Sequence, residues 1–288
     1  MGKGLLDPKV DFVFKNIFGS PNHPEILISF LNATLKAKKK IVNVDIKKTD
    51  IEKQYIEDKY SRLDVKATTS NDEIINIEIQ LKNENNMVKR SLYYLSKMYE
   101  EQLNEKEDYS KLVRTVCINI LNFKYLKTDN FHTGYRFKEI ESNEELTDIM
   151  EVHFIEIPKL QDSSDEKDML VAWTEFLKDP ESEKVRGLEL SIEEIRQAKD
   201  ELIRMSNDST QRELYDMRAN SLRDKMSELN AAERKGIEKG REEGRKEGIE
   251  EGRKEEKIEI ARNMKLSGLD TNTIAKITNL SEDEIDKL

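Results

Sequence analysis

The stretch that decides the fold is a pair of segments, RLDVK at residues 62–66 and IEIQLK at residues 77–82. In both segments apolar and polar side chains alternate, which is the two-residue period of a β-strand. Asn71 and Asp72 lie among polar residues between the segments, and this composition is typical of a turn. The sequence therefore predicts a β-hairpin.

The polar side chains of the predicted hairpin point to one side of it. They are two carboxylates, one amide and two ammonium groups: Asp64, Glu78, Gln80, Lys66 and Lys82. Two carboxylates with open coordination positions suit Mg²⁺ or Mn²⁺, and a lysine beside such an ion suits phosphoryl-transfer chemistry on a polyanion. On pattern alone, the solvated face of an antiparallel sheet is the commoner origin of such alternation.

These residues resemble a known signature. Asp64 followed downstream by Glu78-x-Gln80 resembles the D…ExK signature of PD-(D/E)XK nucleases. The resemblance is closest to the Rpn family of recombination-promoting nucleases, also described as PD-(D/E)XK transposase-like proteins, in which glutamine commonly replaces the lysine. Leu63 stands where the wider superfamily has proline. These departures leave open a weak or degenerate nuclease.

Further motifs extend the resemblance over most of the chain. In the family's order they are DFVFKNIFG at 11–19, RSLYYL at 90–95, VCINIL at 116–121, HFIEIP at 153–158 and a glycine-punctuated tail. The resemblance implies a restriction-endonuclease-like α/β fold, which is a mixed sheet flanked by helices, with a helical C-terminal extension. The alternation of predicted strands and helices favours the same class.

The resemblance also implies a function. The chain would be a Mg²⁺-dependent DNA endonuclease of the Rpn type, using a metal-activated water in recombination, mobile-element or phage-defence biology. Asp64 and Glu78 would bind the metal, and Gln80 would take the position of the missing lysine. Because an amide supplies no positive charge, Lys66 and Lys82 are the candidates to supply it.

Three other residues are weaker candidates for the same site. Asp11 and Lys15 lie four residues apart on the first predicted helix, where they either face the centre or form a local surface pair. Arg90 is a candidate phosphate contact. The alternative function is a non-catalytic oligomeric binding protein built on a degenerate nuclease-like core.

Composition limits the classes of protein that fit. The net charge of −10 counts against DNA binding, but phosphate affinity depends on local patches. The clustered lysines form either such a patch or a soluble helix end: Lys36, Lys38, Lys39, Lys40, Lys47 and Lys48.

No apolar run approaches the roughly 20 residues of a membrane span, and the start lacks a signal-peptide core. The lone Cys117 allows no intrachain disulfide. We therefore expect a cytoplasmic protein without a membrane partner.

The sequence predicts four regions. They are a nuclease-like core at 1–165, a helical extension at 166–230, a charged glycine-repeat helix or linker at 231–257, and a small helix-turn-helix-like cap at 258–288. In the third region glycine recurs every four residues. Interior glycines cost a helix about 1 kcal/mol each, so a close helix partner would offset this cost. The cap ends in an acidic helix, which is a poor surface for a DNA groove. We therefore expect the tail to form homo-oligomers.

Overall fold

The computed structural model describes residues 4–36, 39–47, 65–165 and 167–288, without the side chains of Leu222 and Lys225. Within these ranges the chain forms a mixed sheet flanked by helices, which confirms the expected α/β class. The elements are α1 (Asp11–Phe18), α2 (Pro24–Leu35), β1 (Val44–Lys47), β2 (Val65–Thr69), β3 (Ile74–Gln80), α3 (Met87–Glu100), β4 (Thr115–Leu121), β5 (His132–Lys138), β6 (Glu145–Glu156), α4 (Met169–Lys178), α5 (Glu183–Glu189), α6 (Glu193–Asn207), α7 (Ser209–Leu266), α8 (Thr271–Thr278) and α9 (Glu282–Asp286).

The described strands are ordered β1-β2-β3-β4-β6-β5 in the sheet. Strands β3, β4 and β6 are parallel, and the other neighbouring strands are antiparallel. The predicted hairpin is confirmed as the pair β2–β3, whose turn contains Asp72 at a φ of 61°. Both strands extend closer to the turn than the segments 62–66 and 77–82 indicated, since β2 ends at Thr69 and β3 begins at Ile74. Strand β4 lies between two parallel neighbours and is buried along its whole length. Burial on both faces explains its apolar sequence.

The two faces of the sheet are covered by different helices. Helix α3 covers one face, where its Met87 and Leu95 pack with Cys117 and Phe154. Burial raises the pKa of the Cys117 thiol to about 12, so this cysteine is a core residue and not a nucleophile. On the other face, Val65 approaches the end of α1 at Gly19.

A buried ionic network joins the strands at the end of the sheet where β3 and β4 begin. Arg114, just before β4, donates to both Glu73 and Glu151. Glu151 also accepts from Arg136 Nε at 3.0 Å and faces His153 Nε2 at 2.7 Å. Burial by itself raises the pKa of Glu151, but the bonds from His153 and the two arginines lower it to about 2. The network therefore holds an ionised carboxylate inside the protein.

The same network continues into a pair of stacked histidines. His132 Nε2 lies 2.9 Å from His153 Nδ1, and the ring centroids are 5.1 Å apart. Burial is the main cause that lowers the pKa of His132, to about 4, and His153 and Lys36 lower it further while Asp168 and Glu151 oppose them. His132 is therefore neutral at physiological pH.

This histidine predicts a pH dependence of stability. Its folded-state pKa lies below the unfolded value of 6.5, so its stabilisation is present above pH 6.5 and is lost as the pH falls toward 4. The unfolding free energy of wild type should decrease when the pH falls from about 7 to about 5. We expect this decrease to be smaller by roughly 1–2 kcal/mol in His132→Asn. Urea unfolding followed by Trp173 fluorescence measures this difference. His23→Asn, at a half-exposed histidine, is the control, and an equal acid-induced loss in wild type and His132→Asn contradicts the prediction.

The chain divides into two compact units, Met1–Ser221 and Leu222–Leu288, and α7 continues from the first into the second. The glycine-repeat segment at 231–257 is helical and almost entirely exposed. The second unit has a small core of its own, made by Ala261, Ile274, Leu280 and Ile285. No helix within the described ranges is both long and apolar enough to cross a membrane.

Candidate functional site

The candidate site lies on the face of the sheet that α3 covers. Strand pairing places Lys66 of β2 opposite Asn76 of β3, and Glu78 of β3 beside Asn119 of β4. Asn76 and Glu78 are 0% and 1% exposed, so this part of the polar face is covered by protein. The interpretation of the predicted polar face as solvated is therefore wrong at Glu78. Asp64 lies outside the described residues.

Glu78 is the most informative side chain of the site. Its Oε2 accepts a hydrogen bond from Arg90 Nε at 3.1 Å. Its Oε1 is buried and has no hydrogen-bond partner among the described residues. Burial raises the pKa of Glu78, and the charge and hydrogen bond of Arg90 offset this only in part. A buried carboxylate with one oxygen unused is poised to accept a further donor or a cation.

Two other predicted hairpin residues, Lys66 and Gln80, lie on the same face as Glu78 but have different contacts. Lys66 is partly buried, and its Nζ lies 3.8 Å from Glu101 at the end of α3. Burial lowers the pKa of Lys66, although Glu101 opposes this shift. Gln80 ends β3, and its backbone carbonyl accepts from Asn122 N at 2.9 Å.

The prediction that the second strand runs to Lys82 is wrong. Strand β3 ends at Gln80, whose pairing with Leu121 is the last between β3 and β4. The chain bends at residues 81–82 because its neighbour in the sheet also ends. Strand alternation therefore does not determine the direction of the Lys82 side chain.

The weaker candidates are divided between two places. Asp11 forms an ion pair with Arg218 of α7 at 2.6 Å and makes no contact with Glu78 among the described residues. Lys15 lies one turn later on α1 and is partly buried. Arg90, by contrast, contacts Glu78 directly. The structure thus brings Lys66, Glu78, Gln80 and Arg90 to one face and gives Asp11 a different partner.

Two residues beside Glu78 were not predicted from the sequence. Ser91 Oγ donates to Asn119 Oδ1 at 2.8 Å, and Asn119 Nδ2 donates to His153 O at 3.1 Å. These bonds position the amide of Asn119 next to Glu78 under α3. A polar residue inside the otherwise apolar run VCINIL was the available signal.

The donor atoms present fit a hard cation in part. The carboxylate of Glu78 supplies an unused oxygen, which is the type of ligand that Mg²⁺ and Mn²⁺ prefer. No group of three or more His, Cys, Asp or Glu residues in the described ranges could hold a metal by itself. Outside those ranges, the sequence supplies Asp64 as a candidate second carboxylate.

Two protein-family models match the chain. Residues 8–232 match the model of the PD-(D/E)XK nuclease family transposase. Residues 254–288 match the model of the Rpn/YhgA-like nuclease family, C-terminal HTH domain. No curated protein and no solved structure matches the chain significantly.

Proposed function

Because the chain belongs to the PD-(D/E)XK nuclease family transposases, we propose that it is a Mg²⁺-dependent DNA endonuclease of the Rpn type. The family supports a nuclease-type function. The observation that carries the proposal for this chain is the buried carboxylate of Glu78, with its unused oxygen. A setting in recombination, mobile-element or phage-defence biology, in the cytoplasm, belongs to the same proposal.

We assign Asp64 and Glu78 as the metal ligands. Asp64 is bonded to Val65, and Val65 pairs with Ile77, which is bonded to Glu78. Residues directly opposite each other in an antiparallel pair have Cβ atoms roughly 5 Å apart. Continuation of this register by one residue would bring the two carboxylates to one metal. This register is the structural support for Asp64.

The chain's own residues then have distinct roles. A bound divalent cation would supply Lewis-acid stabilisation of the phosphate and would lower the pKa of a water molecule. Lys66 supplies positive charge from the same sheet face, where its ammonium attracts the phosphate backbone. Gln80 orients water or donates to a phosphate oxygen through its amide. Lys82 and Lys15 are further candidates for phosphate contact, while the role proposed for Asp11 has no contact to Glu78 to support it.

The decisive experiment is incubation of the purified protein with supercoiled plasmid in Mg²⁺, in Mn²⁺ and in EDTA. We expect nicking or linearisation with either metal and none in EDTA. Intact plasmid under all conditions, from protein that binds DNA, would favour the non-catalytic binding protein. Titration calorimetry with Mn²⁺ separates loss of metal binding from loss of the chemical step.

Gln80 gives a prediction of its own. Gln80→Lys restores the ExK motif of the wider superfamily at the partly exposed end of β3, so we expect nicking activity to be kept or increased. Initial rates of plasmid nicking, compared with those of Gln161→Lys as a control at an exposed glutamine away from the hairpin, measure this. Complete loss of activity in folded Gln80→Lys would show that the amide has a role that an ammonium cannot fill.

The second unit bears on the partners. Its match to an HTH domain supports DNA as a partner, whereas the acidic face of α9 fits DNA poorly.

We propose that the exposed helix at 231–257 mediates self-association. Light scattering on the full chain and on a chain ending at Asn230 tests this, with a multimer expected only for the full chain. If both proteins contain the same number of chains per particle, a tail-driven oligomer is excluded.

A further inference from the structure

The contact between Glu78 and Arg90 differs from the other buried ion pairs in the part of the chain that the structure describes. Arg90 uses only Nε, at 3.1 Å from Oε2 of Glu78. The second carboxylate oxygen stays without a hydrogen bond among the described residues, although Glu78 is only 1% exposed. Buried carboxylates normally have both oxygens hydrogen-bonded. Glu78 therefore keeps one oxygen that can still accept a donor or bind a cation.

Arg114 shows what a permanent pair looks like in the same sheet. Its guanidinium bonds Glu73 through Nη1 and Glu151 through Nη2. Arg136 and His153 satisfy further positions on Glu151. Strands are held together there by a saturated network, whereas Glu78 has Arg90 as its one charged donor, the Asn76 amide beside it, and one oxygen unused.

A buried carboxylate still needs a counter-charge. Without one, the cost of an isolated ionised group is several kcal/mol or more. Arg90 is the cation that the structure places against Glu78, and its side chain is 24% exposed. Arg90 therefore contacts the carboxylate through Nε, while part of its side chain reaches solvent.

We propose that Arg90 is an exchangeable counter-ion of Glu78, which neutralises the carboxylate in the metal-free protein and releases it when a divalent cation binds. This inference rests on the proposed function, because it assumes that Glu78 is a metal ligand. Metal binding then requires one hydrogen bond to break, and the unused oxygen of Glu78 is available before the exchange. Arg90 is thus a positioning residue for metal binding.

The surroundings of Arg90 provide a place for the released guanidinium. The Tyr94 ring lies 5.3 Å from the Arg90 Cζ atom and supports a cation–π contact. Burial lowers the pKa of Arg90, but Glu78 and, more weakly, Glu84 in the loop between β3 and α3 raise it. A guanidinium held here at the edge of the site is suited to bind a phosphate oxygen of DNA.

Mn²⁺ affinity tests the exchange. In mildly alkaline buffer, titration calorimetry is carried out on wild type, Arg90→Gln and Arg186→Gln, the last removing an exposed arginine of α5. Arg90→Gln should bind Mn²⁺ roughly tenfold more tightly than wild type, since metal no longer competes with a charge-assisted hydrogen bond. Arg186→Gln should bind like wild type. Unchanged or weaker binding by folded Arg90→Gln overturns the exchange, whereas failure of wild type to bind Mn²⁺ overturns the proposed function together with it.

A second measurement uses the wild-type protein and does not depend on the folding of a variant. In ¹⁵N-arginine-labelled protein, the Nε–H of Arg90 should exchange slowly with water in EDTA, because Glu78 accepts its hydrogen. Saturating Mg²⁺ should shift this resonance and accelerate the exchange by at least roughly tenfold. An Nε–H that stays equally protected in saturating Mg²⁺ shows that the pair does not open, and the inference then fails while metal binding itself stands.

Discussion

Asp64→Asn and Glu78→Gln are each expected to lower metal-dependent plasmid nicking by a factor on the order of 10³, because each removes one anionic ligand from the proposed metal. The amides keep the size of the side chains, so the core around Glu78 keeps its volume. Initial nicking rates in Mg²⁺, with Mn²⁺ affinity measured on the same samples, give the readout. Both variants should also bind Mn²⁺ more weakly than wild type.

The matched control for these two variants is Asp72→Asn. Asp72 is an exposed carboxylate in the turn of the same hairpin, at a positive φ that asparagine also adopts. It should nick plasmid at the wild-type rate. If folded Glu78→Gln retains activity, Glu78 is not the ligand, and the assignment of the site to this face is wrong.

Arg114→Met is expected to lower the unfolding free energy of the first unit by about 3–5 kcal/mol, the range for removal of one partner from a buried charge pair. Arg114 bonds two carboxylates that are themselves buried, Glu73 and Glu151. Loss of the guanidinium leaves both without their shared partner and loosens the contact between β3, β4 and β6. Chemical denaturation followed by the fluorescence of the fully buried Trp173 measures the change.

The same substitution at an exposed site provides the control. Arg196 pairs with Glu193 on the surface of α6, where both side chains are more than half exposed. Surface pairs contribute little to stability, so Arg196→Met should unfold like wild type. Equal midpoints for Arg114→Met and wild type would show that the network around Glu151 is not a source of stability.

The local patterns in the sequence were enough to predict the central hairpin of the sheet. Alternation at 77–82 indicated β3, and the polar turn around Asp72 joined it to β2, because a two-residue period and turn chemistry are properties of a few neighbouring residues. The run VCINIL at 116–121 is also typical of a buried strand, because apolar side chains on both faces require protein on both sides. The order of these motifs was also enough to point to the family.

Tertiary structure decided the environment of the candidate site. Alternation placed Glu78 on a polar face, but only the packing of α3 determined that this face is covered and that Arg90 is its partner. Likewise, the proximity of Asp11 and Lys15 in the sequence did not reveal that Asp11 pairs with Arg218. Strand period and turns depend on adjacent residues, whereas burial and ion pairing depend on segments that meet only in the folded chain. The sequence by itself therefore determined the central hairpin and the family, and the fold determined where its strands end and which charges meet.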